Sequence, residues 1–250
     1  MNKIRSGCCT LLVSLFVLAQ AAPMTGNPTA AVPAKVSIEN SVTSDKKAVV
    51  YRPPRRGTPS TRVGGGSRGT DAVAPTLYVL TPEHTGLTLK AQPALFWFVS
   101  RPVDAEMEFA LIMENDLQTV VEKRISDSVS EGIHGVSLKT LGVELKQNVP
   151  YQWSVAIVTD QGNRSSDLFS SGTIERVSKS EVLPPAQADS RGEPGISFYA
   201  EAGLWYDALD AVSRSIEKHP DRKHLFEQRA SLLEQAGLIE AAAFDRKLVR

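Results

Sequence analysis

The chain has 250 residues, 28 basic and 28 acidic, with 42% hydrophobic side chains, enough for one or two domains with a sizeable core. The neutral total conceals a split: Lys46 to Arg68 holds seven basic residues and no acid, so the remainder is acidic in excess. Both cysteines, Cys8 and Cys9, fall in the first nine residues, which excludes a disulfide, a thiol nucleophile or a thiolate metal site from everything downstream.

Lys3 and Arg5 precede an apolar run from Leu11 to Leu18 and then Ala19-Gln20-Ala21. This is the order of a secretory signal peptide, assigned to residues 1–21. The run falls short of the roughly 20 residues that a membrane span needs, so the mature protein is expected to be exported, periplasmic or at the cell surface, and not membrane-spanning after leader cleavage. Without a cysteine at Gln20-Ala21-Ala22-Pro23, no lipid anchor is expected.

Residues 22–74 are rich in Pro, Gly, Ser and Thr and lack apolar periodicity. They read as a mostly disordered basic arm, with Val49-Val50-Tyr51 as its one short strand candidate. Gly65 to Gly69 satisfies G-x-S-x-G, but a nucleophile elbow needs a strand before the serine and a helix after it, and neither pattern is present. Glycines among arginines instead let backbone N–H groups and guanidinium forks approach an anion together. Arg52, Arg55, Arg56, Arg62 and Arg68 are therefore candidate partner-binding residues, and an anionic envelope component or a protein, not nucleic acid, is the expected partner.

Residues 75–177 carry short strand signals separated by turns. The candidates are Leu77 to Leu80, Leu87 to Leu89, Leu95 to Val99, Met107 to Met113, Thr119 to Ile125, Ile133 to Leu138, Tyr151 to Thr159 and Leu168 to Val177. Pro93-Ala-Leu-Phe-Trp-Phe-Val99 is the densest apolar run after the leader and is expected to be a core strand. Alternation in Glu106 to Leu111 and in Tyr151 to Ile157 gives each strand one buried face, with Trp97 and Trp153 expected in the core. The spacing predicts a mainly β fold with α: an antiparallel β-sandwich of immunoglobulin or fibronectin type, a small barrel being the alternative.

Residues 178–195 return to Pro, Ser and Ala and read as a linker. From 196 to 250 the period becomes helical, with helices expected near Ile196 to Ala202, Trp205 to Lys218, Lys223 to Ala236 and Ile239 to Val249. Gly203 recurs as Gly237 at an offset of 34, the tetratricopeptide period, and Leu204/Leu238, Ala208/Ala242 and Tyr199/Leu233 keep that offset. A short tetratricopeptide-like helical tail is expected, with too few repeats to close a core alone. Trp205 and Tyr206 are adjacent large aromatics at a helix start. Both packing inside the fold and contact with a partner are open to them, and they are retained as candidate partner-binding residues.

His84, His134, His219 and His224 are scattered, and no nucleophile, base and orienter stand at a useful spacing. Glu106 and Glu108 share a strand face, where a solvated surface outweighs calcium binding. No catalytic residue, metal or cofactor is expected. The leading expectation is an exported non-enzymatic binding or accessory protein of the cell envelope; the alternative is an extracytoplasmic ligand-sensing module feeding a membrane signalling partner.

The ordered pieces Arg52-Pro53-Pro54, Gly57-Thr58-Pro59 with Arg62, Gly64 to Gly69, Gly86-Leu87-Thr88, Pro93 with Phe96-Trp97-Phe98, Tyr151-Gln152-Trp153, Ile174 to Val177 and Tyr199 to Leu209 resemble an uncharacterised bacterial exported family, domain of unknown function nine-two-eight. The resemblance runs from about Tyr51 nearly to the C-terminus. Relatives often carry one cysteine after the glycine-rich motif and another in the strand after the tryptophan, where this chain has Thr70-Asp71 and Ile157-Val158-Thr159. The resemblance implies export and adds no catalytic residue.

Overall fold

The computed structural model describes residues 49–54, 75–115, 117–183 and 195–249. The expected leader and Arg55, Arg56, Arg62 and Arg68 lie outside the described residues. The described chain is mixed α/β. Its strands are β1 (Leu77–Val79), β2 (Gly86–Thr88), β3 (Ala94–Val99), β4 (Glu106–Met113), β5 (Gln118–Ser126), β6 (Gly132–Ser137), β7 (Pro150–Val158) and β8 (Leu168–Arg176). Its helices are α1 (Lys179–Val182), α2 (Ile196–Glu201), α3 (Trp205–Lys218), α4 (Lys223–Gln235) and α5 (Ile239–Leu248). No helix among the described residues is long and apolar enough to cross a membrane.

The strands form a three-stranded sheet, β1-β3-β6, and a five-stranded sheet, β2-β8-β7-β4-β5. Alternation in β4 buries Met107, Phe109 and Leu111, and alternation in β7 buries Tyr151, Trp153, Val155 and Ile157. β3 is buried on both faces: Phe98 meets Phe244 of α5, whereas Trp97, one residue back, points to the opposite side, toward the larger sheet. The small sheet is thus the middle layer, with the large sheet on one side and helices on the other. Among the described residues the pairings are antiparallel except two. β2 runs parallel to β8, with Gly86 opposite Ile174, and Gln147 bridges Arg176 in parallel. A purely antiparallel arrangement is therefore corrected: β2 reaches its partner only after the rest of the sheet has been threaded, so no hairpin dictates its direction.

Two features of the segments outside the sheets were not expected. Ser178 to Glu181 begins a single helical turn inside the supposed linker, where the Glu181 carboxylate accepts from the Ser178 backbone N–H at 2.7 Å. Residues 49–54, placed by the sequence in a mostly disordered arm, form a strap against the helices with Val49 and Tyr51 buried. They join no strand, because their backbone bonds go to the helical layer.

The helical layer consists of two helix–turn–helix units, α2–α3 and α4–α5, whose turns share their backbone. Gly203 and Gly237 have φ of 76° and 73°, a left-handed conformation that glycine adopts without strain. After them, Leu204 N–H donates to the Tyr199 carbonyl and Leu238 N–H to the Leu233 carbonyl, both at 2.9 Å. A buried bidentate pair locks the second unit, Arg229 of α4 donating to both carboxylate oxygens of Asp245 on α5 at 2.7 Å, and a third nitrogen reaches across to Ser213 of α3 in the first unit at 3.3 Å.

Candidate functional site

The strap is held backbone first. Gln235 at the end of α4 presents its amide as a two-way clamp, accepting from Tyr51 N–H at 2.8 Å and donating to the Val49 carbonyl at 3.0 Å. Arg52 N–H then donates to the Ala200 carbonyl of α2 at 3.0 Å. The Tyr51 ring packs edge-on to Trp205 with centroids 5.0 Å apart, and its hydroxyl shares a 2.9 Å hydrogen bond with His84 Nε2. Burial lowers the pKa of His84, which keeps the imidazole neutral at pH 7. The Arg52 side chain is exposed.

Trp205 and Tyr206 are both fully buried, and neither is available to a partner of the folded chain. They avoid competing by entering one continuous core at two places. Trp205 Nε1 donates to the Leu80 carbonyl at 2.8 Å beneath the strap. Tyr206 enters the large sheet, where its hydroxyl accepts from Trp153 Nε1 at 2.8 Å and donates to the Thr173 carbonyl at 2.9 Å. A Cβ on Gly86 would lie 2.6 Å from the Tyr206 ring, so glycine there is what admits it. Their candidacy as partner contacts is corrected: two aromatics at a helix start serve two layers.

What the sequence did not single out is the cleft between the edge strands β5 and β6, about 560 Å³. Its apolar lining includes Trp97, Met107, Ile125 and Leu141, and its polar lining includes Ser126, Ser130, Lys123 and His134. The volume lies in the range of small-molecule sites. His134 sits opposite Trp97 in the β3–β6 register and stacks on it at 6.0 Å, with its Nε2–H donating to the Ser130 carbonyl at 2.8 Å. Trp97 Nε1 is buried and has no hydrogen-bond partner, an uncommon state for an indole donor. Strand patterning marked Trp97 as core, but its partner could be found only from the register.

The other charged groups serve structure. Asp207 of α3 is buried, accepts from Leu89 N–H at 2.9 Å, and keeps a second oxygen without a partner. Burial pushes its pKa up to about 6 against the pull of that N–H and of the Lys90 ammonium. Lys90 and Arg214 share the neighbouring Asp210 at 2.5 and 3.2 Å. Glu108 is taken by both terminal nitrogens of Arg164, whose hydrogen bonds hold its pKa below the usual carboxylate range. Glu106 faces Arg124 at 3.4 Å. Among the described residues no three His, Cys, Asp or Glu side chains gather as metal ligands would.

A family model described as Domain of Unknown Function (DUF928) matches residues 63–244. The matched span takes in Arg68 and the glycine-rich motif, both sheets and most of the helical layer, and begins after Arg52, Arg55, Arg56 and Arg62. No curated protein matches the chain.

Proposed function

The chain belongs to the Domain of Unknown Function (DUF928) family, whose description supplies no activity, and from its residues we propose an exported, non-enzymatic binding or accessory protein of the cell envelope. The two sheets are read as an immunoglobulin- or fibronectin-like sandwich serving as scaffold, and the two helical units as a tetratricopeptide-like pair. The basic arm beginning at Arg52 makes contact with an anionic envelope component or an acidic protein face. One observation supports this reading: the strap at residues 49–54 is fastened to the helices through its backbone while the Arg52 side chain is exposed. Fixing the root lowers the entropy lost when the arginines meet a partner.

Replacing Arg55, Arg56, Arg62 and Arg68 with glutamine tests it. Salt-sensitive retention in an envelope fraction should weaken while the melting temperature holds; unchanged retention would refute the reading. Export is tested separately by mass spectrometry of the native protein, where an N-terminus near Ala22 is expected and an intact Met1 would count against it.

The cleft at Trp97 favours a second reading, a ligand-sensing module feeding a membrane signalling partner. A buried indole N–H without an acceptor is a group that a bound ligand could satisfy after a small rearrangement of the mouth. Small molecules that raise the melting temperature of the parent and not of a Trp97→Phe variant would support it; a screen with no such compound would count against it.

A further inference from the structure

The cleft at Trp97 differs in charge from the other large clefts of the molecule. Its described lining holds two cations, Lys123 and Arg124, and no aspartate or glutamate. A cleft of about 630 Å³ on the helix side of β6 carries Asp210 and Glu217, and one of about 510 Å³ on the large sheet carries Glu108, Glu122 and Asp167. Arg124 is committed elsewhere, with its terminal nitrogens facing Glu106 at 3.4 Å and Asp127. Lys123 is not: among the described residues it forms no ion pair.

The position of Lys123 is also unusual. It stands opposite Phe109 in the β4–β5 register, and residues directly opposite on antiparallel strands share a face. A lysine therefore occupies the face of β5 that Phe109 buries on β4. An inward lysine on an edge strand discourages pairing with another chain, and that role accounts for Lys123 alone. It does not account for the second donor of the cleft. The Trp97 indole N–H is buried without an acceptor, whereas Trp153 and Trp205 donate theirs to the Tyr206 oxygen and the Leu80 carbonyl.

Charge and donor count narrow the ligand. One uncommitted ammonium balances one negative charge, and a dianion such as a phosphate monoester would stay half-compensated beside Met107, Ile125 and Leu141, which is costly. A carboxylate brings two acceptor oxygens, one for the ammonium and one for the indole N–H. We propose that the Trp97 cleft binds a small amphiphilic monocarboxylate, held by Lys123 and the Trp97 indole N–H, with its apolar body against Met107, Ile125 and Leu141. This rests on the ligand-sensing reading of the same cleft and specifies what that reading leaves open.

The test is a titration of the full chain with phenylbutyrate at neutral pH, with phenylbutylamine and phenylbutanol as cationic and neutral counterparts of the same shape. The three tryptophans give three indole cross-peaks in proton–nitrogen NMR, and Trp97→Phe removes and so assigns one of them. The acid should move the Trp97 cross-peak saturably and leave those of Trp153 and Trp205 in place, while the amine and the alcohol move none. Lys123→Gln should weaken the binding about tenfold or more, because it removes a charged hydrogen bond, with the melting temperature unchanged; Lys123→Arg should retain it. An acid that leaves the Trp97 cross-peak in place overturns the proposal, as does a Lys123→Gln variant that binds equally well. If that variant binds equally and also self-associates, Lys123 is an edge guard and not a ligand contact. If the alcohol or the amine moves the cross-peak as well as the acid does, the carboxylate assignment falls and the ligand-sensing reading stands. If none of the three moves it and the melting screen finds no Trp97-dependent compound, both fall.

Discussion

The indole N–H of Trp153, on the central strand of the large sheet, donates to the phenol oxygen of Tyr206 on α3 across 2.8 Å of buried interior. The two rings meet edge-on with centroids 6.5 Å apart. This bond joins the helical layer to the middle of the large sheet, whose edge strand β2 the helix also contacts, and passes the end of the small sheet at Thr81, whose hydroxyl is 3.1 Å from the same phenol oxygen.

Tyr206→Phe should keep the packing and lose the polar junction. The Trp153 N–H is then buried without an acceptor, and the variant should be less stable by about 1–3 kcal/mol. Trp153→Ala removes the ring as well and should cost about 3–5 kcal/mol. Urea midpoints of the two variants measure both; a loss below about 1 kcal/mol for Trp153→Ala would contradict its buried position.

Asp207 makes a signed prediction about pH. Its folded pKa, near 6, lies above the usual 3.8, so between those values the folded state holds a proton that the unfolded state has released. Stability from this group is therefore present at low pH and lost as pH rises toward 6. Asp207→Asn keeps an acceptor for Leu89 N–H and cannot ionise. It should match the parent near pH 3.5 and exceed it by about 2 to 3 kcal/mol at pH 7. Parallel denaturation curves would show the difference opening across that window; a constant difference would assign the effect to packing.

Arg229 and Asp245 should behave as a unit. Arg229→Met strands a carboxylate in the interior and should cost about 3–5 kcal/mol, whereas Arg229→Met with Asp245→Leu should recover much of that loss. The double-mutant cycle reads the coupling between α4 and α5 directly.

A fragment beginning at Glu193 should not melt cooperatively. In the whole chain Trp205 and Tyr206 are buried against Leu80, Thr81 and β8, and the fragment would expose both rings to water. Circular dichroism of the isolated fragment checks this, and a sharp monomeric transition would contradict it.

Strand and helix positions were legible because each carries its own period. Met107, Phe109 and Leu111 alternate along β4, and Leu209, Val212 and Ile216 recur at helical spacing along α3. Parallel pairing of β2 was not legible, since three residues, Gly86-Leu87-Thr88, hold no record of the direction of a partner nearly ninety positions away. The strap was missed for a related reason: Val49, Tyr51 and Arg52 are placed by Gln235 and Ala200, and one glutamine amide gives no sequence signal of what it will clamp. The short turn after Ser178 was within reach, because Ser178-Lys179-Ser180-Glu181 spells a capping box. Asp207 and Trp97 could not be picked out as an under-partnered acid and donor, because satisfaction of a buried polar group depends on all three dimensions.

The strap also sets an order of events. Val49 and Tyr51 are bound by a residue 186 and 184 positions further along the chain, and β2 waits for β8 in the same way. Contacts this distant in sequence close late, after the loops between them have lost their freedom. During synthesis the strap is made first and seated last. A chain that stops just short of Gln235 still holds β1 to β8 and the Trp205 and Tyr206 anchors, yet leaves Val49 and Tyr51 without their clamp, so loss of the last sixteen residues frees the strap before it costs any strand.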